Sequence, residues 1–173
     1  MTKLHIAADH AGYELAREFE RRAREAGHDI AWQGADAVDP GDDYPAIAVR
    51  LGQAVVADQD AGIDAFGIMV VDEGEAGAVA VNKVNGARAV VAPSVGKAQR
   101  LRRTVDANVL AFDGVAFPES AWNVVNAFIR TPMIEHDVDS GRRVLQIEEF
   151  ENSGTIEGWA IQLQPEQQLR SAR

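Results

Sequence analysis

Short apolar runs alternate with amphipathic stretches along this chain. Leu4–Ala8, His28–Gln33, Phe66–Val71, Ala87–Ala92 and the run that ends at Phe112 are each only a few residues long and mostly apolar. They are rich in Val, Ile and Ala, which is the pattern of strands buried on both faces. Between them the apolar period changes. Leu15, Phe19, Ala23 and Ala26 share one face of a helix over about 13–26, and Gly27 suits the left-handed position that ends it. Ile47, Leu51 and Val55 repeat every four residues in a helix opened by Tyr44-Pro45, where proline fits the first turn. A basic helix follows over 95–103. Trp122, Val125, Phe128 and Ile129 line a helix that begins at Pro118 and breaks at Thr131-Pro132, and Asp139 or Ser140 caps a last helix through about Phe150. Five strands alternating with helices predict a doubly wound, three-layer α/β domain on a five-stranded parallel sheet.

The stretch Phe66–Pro93 organises the rest. It reads as a strand (66–71), an acidic turn containing glycine (Asp72-Glu-Gly-Glu-Ala-Gly77), a helix (78–84), an Asn85-Gly86 turn and a second strand. That is the size of one parallel βαβ crossover. Ligands of such folds sit beyond the carboxyl ends of the strands, so the turn at 72–77 is the first place to look for a site.

Composition narrows the chemistry. The 173 residues suffice for one domain, expected over 1–150, with 151–173 as a C-terminal extension carrying the alternating stretch Trp159–Leu163. The absence of cysteine excludes thiol nucleophiles, disulfides and zinc–thiolate sites. A net charge of −10 argues against a nucleic-acid partner. No apolar run is long enough to span a bilayer, and Met1-Thr-Lys-Leu-His-Ile enters a strand pattern with no signal peptide, so the expected location is the cytoplasm. Arg17, Arg21, Arg22 and Arg24 interleave with Glu18, Glu20 and Glu25 as on a solvated helix face.

Four motifs stand in order with suitable spacing: Asp9-His10-Ala11-Gly12-Tyr13-Glu14-Leu15, Asp43-Tyr44-Pro45, Asn82-Lys83-Val84-x-Gly86-x-Arg88 and Asp106-Ala107-Asn108-Val109. Together they resemble the ribose-5-phosphate isomerase B / galactose-6-phosphate isomerase family over roughly residues 3 to 150. The resemblance implies a Rossmann-like fold, a homodimer or homotetramer with sites near the subunit interface, and metal-free, cofactor-free interconversion of aldose and ketose phosphates through a cis-enediol. It places Asp9 and His10 at the sugar ring and phosphate, Tyr44 on the substrate, Gly74 in the loop that stabilises the oxyanion, Asn82 and Lys83 at the end of the loop helix, and Arg143 on phosphate.

The loop departs from the family pattern. The family's thiol base position is Val71, its hydroxyl position is Glu73, and the glutamate that serves as base in one branch is Gly77. Family histidine positions carry Pro93 and Thr104, the asparagine after the latter is Val105, and two phosphate-arginine positions carry Val115 and Asp139. A glycine-rich loop binds anions through converging N–H groups. Carboxylates at 72, 73 and 75 oppose that, each like-charge contact at about 4 Å costing about 4 kcal/mol at an effective dielectric near 20.

Three roles stand open for these carboxylates. Glu73 or Glu75 replaces the missing base; the group contacts sugar hydroxyls or a divalent cation; or the acids offset the helix dipole. Likewise Tyr44 either packs or contacts substrate, Asn82 and Lys83 either bind or brace the turn before Gly86, and Arg142 and Arg143 are either site or surface charges. His5 and His28 read as structural, and His136 as solvated. Two functions remain: an aldose–ketose isomerase of sugars or sugar phosphates with a rewired site (Asp9 and Glu73 or Glu75 catalytic), or a sugar-binding, non-catalytic subunit.

Overall fold

The computed structural model describes residues 1–133 and 138–157. His136 and Trp159–Leu163 lie outside the described residues. The elements in chain order are β1 (Lys3–Ala8), α1 (Tyr13–Glu25), β2 (Asp29–Trp32), α2 (Tyr44–Asp60), β3 (Ala65–Val71), α3 (Gly74–Val81), β4 (Ala89–Val91), α4 (Val95–Val105), β5 (Val109–Asp113), α5 (Pro118–Ile129) and α6 (Val138–Ser153). All strand pairings are parallel, in the order β2-β1-β3-β5-β4.

Strand residues divide between two cores by parity. Leu4, Ile6, Phe66, Ile68, Val70, Leu110 and Phe112 face one layer, with Leu15 and Phe19 of α1, Ala98 of α4, and Trp122, Val125 and Phe128 of α5. Ala7, Met69, Val71, Val109 and Ala111 face the other, with Ile47, Leu51 and Val55 of α2 and Ala78 and Val81 of α3. Every residue of β3 is buried, as its unbroken apolar run demands. Gly27 ends α1 at φ +81°, with the His28 N–H reaching the Ala23 carbonyl.

The central stretch differs from the sequence expectation in three ways. Its helix begins at Gly74 and ends at Val81, so Glu75, Ala76 and Gly77 are helical and the turn shrinks to Asp72 and Glu73. β4 is three residues long instead of six. β3 and β4 are parallel but not neighbours, because β5 lies between them. The physical cause of the early helix start is close packing. A Cβ on Gly74 would come within 2.9 Å of the Phe112 backbone, and one on Gly77 within 2.8 Å of the Val71 side chain. Two poor helix formers are therefore what lets α3 dock. Elsewhere, α2 runs to Asp60, and Ala26, expected on the inner face of α1, is its exposed C-cap.

One buried polar cluster has a consequence for stability. His5 is buried on β1; its Nε2 lies 2.6 Å from Asp58 Oδ2, and the Gln33 amide lies 3.0 Å from its Nδ1. A ring that donates from Nε2 and accepts at Nδ1 is neutral. Burial pushes the imidazole below its ordinary value, against the upward pull of the Asp58 hydrogen bond. Lys3, 2.7 Å from the same carboxylate, holds Asp58 below the usual carboxylate range. A histidine whose folded pKa is depressed takes up its proton more readily in the unfolded chain. Its stabilising effect is thus complete above about pH 6.5 and is lost as pH falls below that value toward the folded pKa. Urea midpoints between pH 8 and pH 5 should fall more steeply for the native chain than for His5→Gln, and equal slopes would refute the assignment.

Candidate active site

The carboxyl ends of β1, β3 and β5 lie side by side, and the chain leaves β1 toward β2 but leaves β3 toward the opposite sheet edge. The crevice between the loops after β1 and β3 is therefore the topological switch point, where ligands of open α/β sheets bind. Asp9 sits at its centre, 3% exposed. Its Oδ1 accepts the N–H groups of Ala11 and Gly12, each at 3.0 Å, and its Oδ2 accepts the N–H of Asp72 at 3.3 Å. One carboxylate thus clasps the β1–α1 loop to the β3–α3 turn. Gly12 permits the approach: a Cβ there would stand 2.1 Å from the Val70 carbonyl oxygen.

His10 follows on the rim, with its side chain 43% exposed. Its backbone N–H donates to Asp42 Oδ1 at 2.9 Å, and its Nδ1 lies 3.0 Å from the same oxygen. The hydrogen bond to Asp42 raises the imidazole above its ordinary value, with the Asp9 charge adding to it.

On the far side, Asp72, Glu73 and Glu75 are all exposed. Glu73 occupies the N-cap of α3, yet its side chain makes no capping bond. The first N–H of the helix, on Gly74, instead donates to Asp113 Oδ1 at 2.7 Å. Asp113 is the last residue of β5, 39 positions along the chain. Nothing in the local pattern at 72–77 marks it; only its place at the end of a strand, one residue before Gly114, hints that it faces the same edge. Val71, where the sequence resemblance places the thiol base, is fully buried against α3.

The structure brings Asp9, His10, Glu73, Gly74 and Glu75 to one edge. Tyr44 opens α2, and its half-buried ring packs on the core beneath that helix. Asn82 and Lys83 lie past the other end of α3, away from Gly74. The Asn82 amide donates to the Ala89 carbonyl at 2.9 Å and its oxygen accepts the Ala89 N–H at 2.6 Å, bracing the start of β4. Arg143 is exposed on α6, which packs mainly on α4 and whose far end, through Glu151, holds the Asn85–Gly86 turn at the opposite sheet edge. Among the described residues no three histidine or carboxylate groups converge as metal ligands, and no helix is long and apolar enough to cross a membrane.

A model of the family described as "Ribose/Galactose Isomerase" matches residues 4–147. The chain belongs to that family. Among its relatives, the ribose-5-phosphate isomerase B of Mycobacterium leprae is 33% identical over 152 residues, 87% of this chain and 91% of that protein. The enzyme of the same name from Mycobacterium tuberculosis H37Rv is 34% identical over 131 residues, 75% of this chain and 78% of that one. A ribose 5-phosphate isomerase from Thermotoga maritima superposes with a TM-score of 0.77 at 28% identity, covering 86% of this chain and 98% of that one. A Mycoplasma genitalium ribose-5-phosphate isomerase B solved with bound ribulose-5-phosphate shares the fold at a TM-score of 0.80 and 24% identity, over 88% and 97% of the two chains. In this isomerase family member, then, the family fold surrounds an edge lined by Asp9, His10, Asp72, Glu73 and Glu75.

Proposed function

We propose that this protein is an aldose–ketose isomerase of sugar phosphates in which a loop carboxylate replaces the thiol base. The observation that carries the reading is the clasp of Asp9 on Asp72, which sets His10 and Glu73 on the two sides of one crevice. Asp9 and His10 face the sugar ring: the Asp9 carboxylate, which keeps acceptor capacity beside its three N–H donors, takes the anomeric hydroxyl proton while the His10 imidazolium protonates the ring oxygen as the ring opens. Glu73 takes the C2 proton of the open aldose, the O2 hydroxyl proton passes to O1 within the cis-enediolate, and Glu73 returns its proton at C1. Glu75, two residues on, is the second candidate for that base. Gly74 and the turn around it lie where the enediolate oxygen develops charge, Tyr44 supports the wall under α2, and Asn82 and Lys83 act from a distance by bracing the far end of α3.

Arg143 stands apart from this edge within one chain. Exposed apolar residues, Val115 at 88% and Phe117 at 82%, flank the site on the β5–α5 connection. These support a homodimer or homotetramer in which α6 of one copy serves the crevice of another. The family's small-molecule chemistry supports a cytoplasmic metabolic role.

A second reading has its own observation. The Gly74 N–H already holds the Asp113 carboxylate, and an oxyanion donor occupied by an internal anion favours a non-catalytic, sugar-binding subunit. The experiment that separates the two is incubation in D2O with pentose and hexose phosphates and their unphosphorylated sugars, followed by NMR. The isomerase takes deuterium into the aldose C2 and ketose C1 positions. Saturable binding without uptake in any sugar establishes the second reading.

A further inference from the structure

The loop between β2 and α2 carries Asp42 near its end, one residue before the N-cap of α2, and Asp42 holds His10 at two points. Asp42 Oδ1 accepts the His10 backbone N–H and lies 3.0 Å from Nδ1. Asp42 is itself restrained. Its N–H donates to the Asp39 carbonyl, and the Gly41 N–H donates to Asp39 Oδ1. Earlier in the same loop, the Tyr13 hydroxyl donates to the Asp36 carbonyl at 2.8 Å, Arg17 reaches the same oxygen at 3.4 Å, and Trp32 Nε1 donates to the Ala35 carbonyl at 2.9 Å. Arg17 lies 3.8 Å above the Trp32 ring and 5.0 Å from the Tyr13 ring. An arginine stacked on Trp32, with Tyr13 set edge to face against the same ring at 5.9 Å, is a stiff support. Three residues of α1 and β2 thus fix the loop that carries Asp42, and Asp42 fixes the histidine.

We propose that Asp42 is a positioning residue for the isomerase reaction: it holds the His10 ring with Nδ1–H inward, so that Nε2 is the nitrogen presented to the sugar. This rests on the isomerase reading of the site. A carboxylate cannot donate to Nδ1, so the short contact requires the proton on Nδ1. The neutral ring then carries its lone pair on Nε2, and the imidazolium offers Nε2–H to a sugar oxygen. One nitrogen can give a proton during ring opening and take it back at closure. The charges acting on the ring are Asp42 from one loop and Asp9 from the other, and both favour the imidazolium. The arrangement is the carboxylate–histidine pairing that selects a tautomer, here supplied by a loop 32 residues away.

The test is a nitrogen-15 NMR titration of His10, assigned by its loss in His10→Gln, in the native chain, Asp42→Asn and Asp42→Ser. The native ring should be the Nδ1–H tautomer when neutral. Both variants should titrate at lower pH and move toward Nε2–H, with amide shifts outside residues 9–12 and 36–44 unchanged. Deuterium exchange should keep its KM while the alkaline limb of its pH profile, set by loss of the imidazolium proton, moves down with the titration midpoint. A native ring that is Nε2–H when neutral, or a midpoint unchanged in both folded variants, overturns the proposal. If the titrations behave as stated but the native chain exchanges no deuterium, the positioning role stands and the isomerase reading falls.

Discussion

Glu73→Gln lowers deuterium uptake at the aldose C2 by about 10²–10⁴-fold, the range that a positioned general base supplies, while KM changes little. The substitution is isosteric and leaves the backbone undisturbed, because Glu73 makes no capping bond that the amide would lose. Its neighbour Asp72 is tied to Asp9 through its N–H, so the Glu73 backbone is held at the crevice and does not swing with a loose loop. Glu75 lies inside the first turn of α3, one residue beyond Gly74. Glu75→Gln therefore takes the smaller loss. A native enzyme whose exchange survives both substitutions has its base elsewhere, and the thiol position is no refuge, since Val71 is buried and carries no acid–base group.

Asp113→Ala raises the same exchange rate by about tenfold or more. Removing a single oxyanion donor typically costs about 10²–10³ in kcat, and in this chain the Gly74 N–H is occupied by a carboxylate at 2.7 Å. Clearing that carboxylate returns the donor to the substrate and removes a negative charge beside the developing enediolate. The gain is smaller than a whole donor is worth, because Asp72 and Glu73 keep their charges nearby. Stability falls by about 1 kcal/mol, the usual contribution of one hydrogen bond, measurable as a lower urea midpoint. The Gly74 amide resonance moves in the variant and moves again on adding sugar phosphate. A lower exchange rate in Asp113→Ala would show instead that the carboxylate braces the turn for catalysis and that the seat is not wanted by substrate.

Much of the fold was legible because the chain buries its strands on both faces. Phe66–Val71 could be read as a central strand from its unbroken apolar run, and Ile47, Leu51 and Val55 as an inner helix face from their spacing; all are buried. What the pattern hid was set by tertiary contact. The start of α3 lies in Gly74-Glu75-Ala76-Gly77, where two glycines argue against a helix, and only the approach of Phe112 and Val71 explains them. The insertion of β5 between β3 and β4 is a pairing that no local signal specifies.

The site shows the same division. Asp9, His10 and the 72–75 turn came from strand ends and motif spacing. Asp42 and Asp113, which engage His10 and Gly74, enter from other loops and were missed, since hydrogen bonds across 32 and 39 residues leave no mark in a one-dimensional pattern. Arg17 read as one more charge on a solvated face. Its ion pair with Glu20 fits that reading, but its stacking on Trp32 does not.

The most direct test of a carboxylate base in this crevice is covalent capture with a 1,2-epoxide analogue of a sugar phosphate, followed by peptide mass spectrometry. Opening of the epoxide by the base leaves one ester, and the account predicts it on Glu73, blocked by competing sugar phosphate. An ester on a different residue, or none at concentrations where the analogue demonstrably binds, would contradict it.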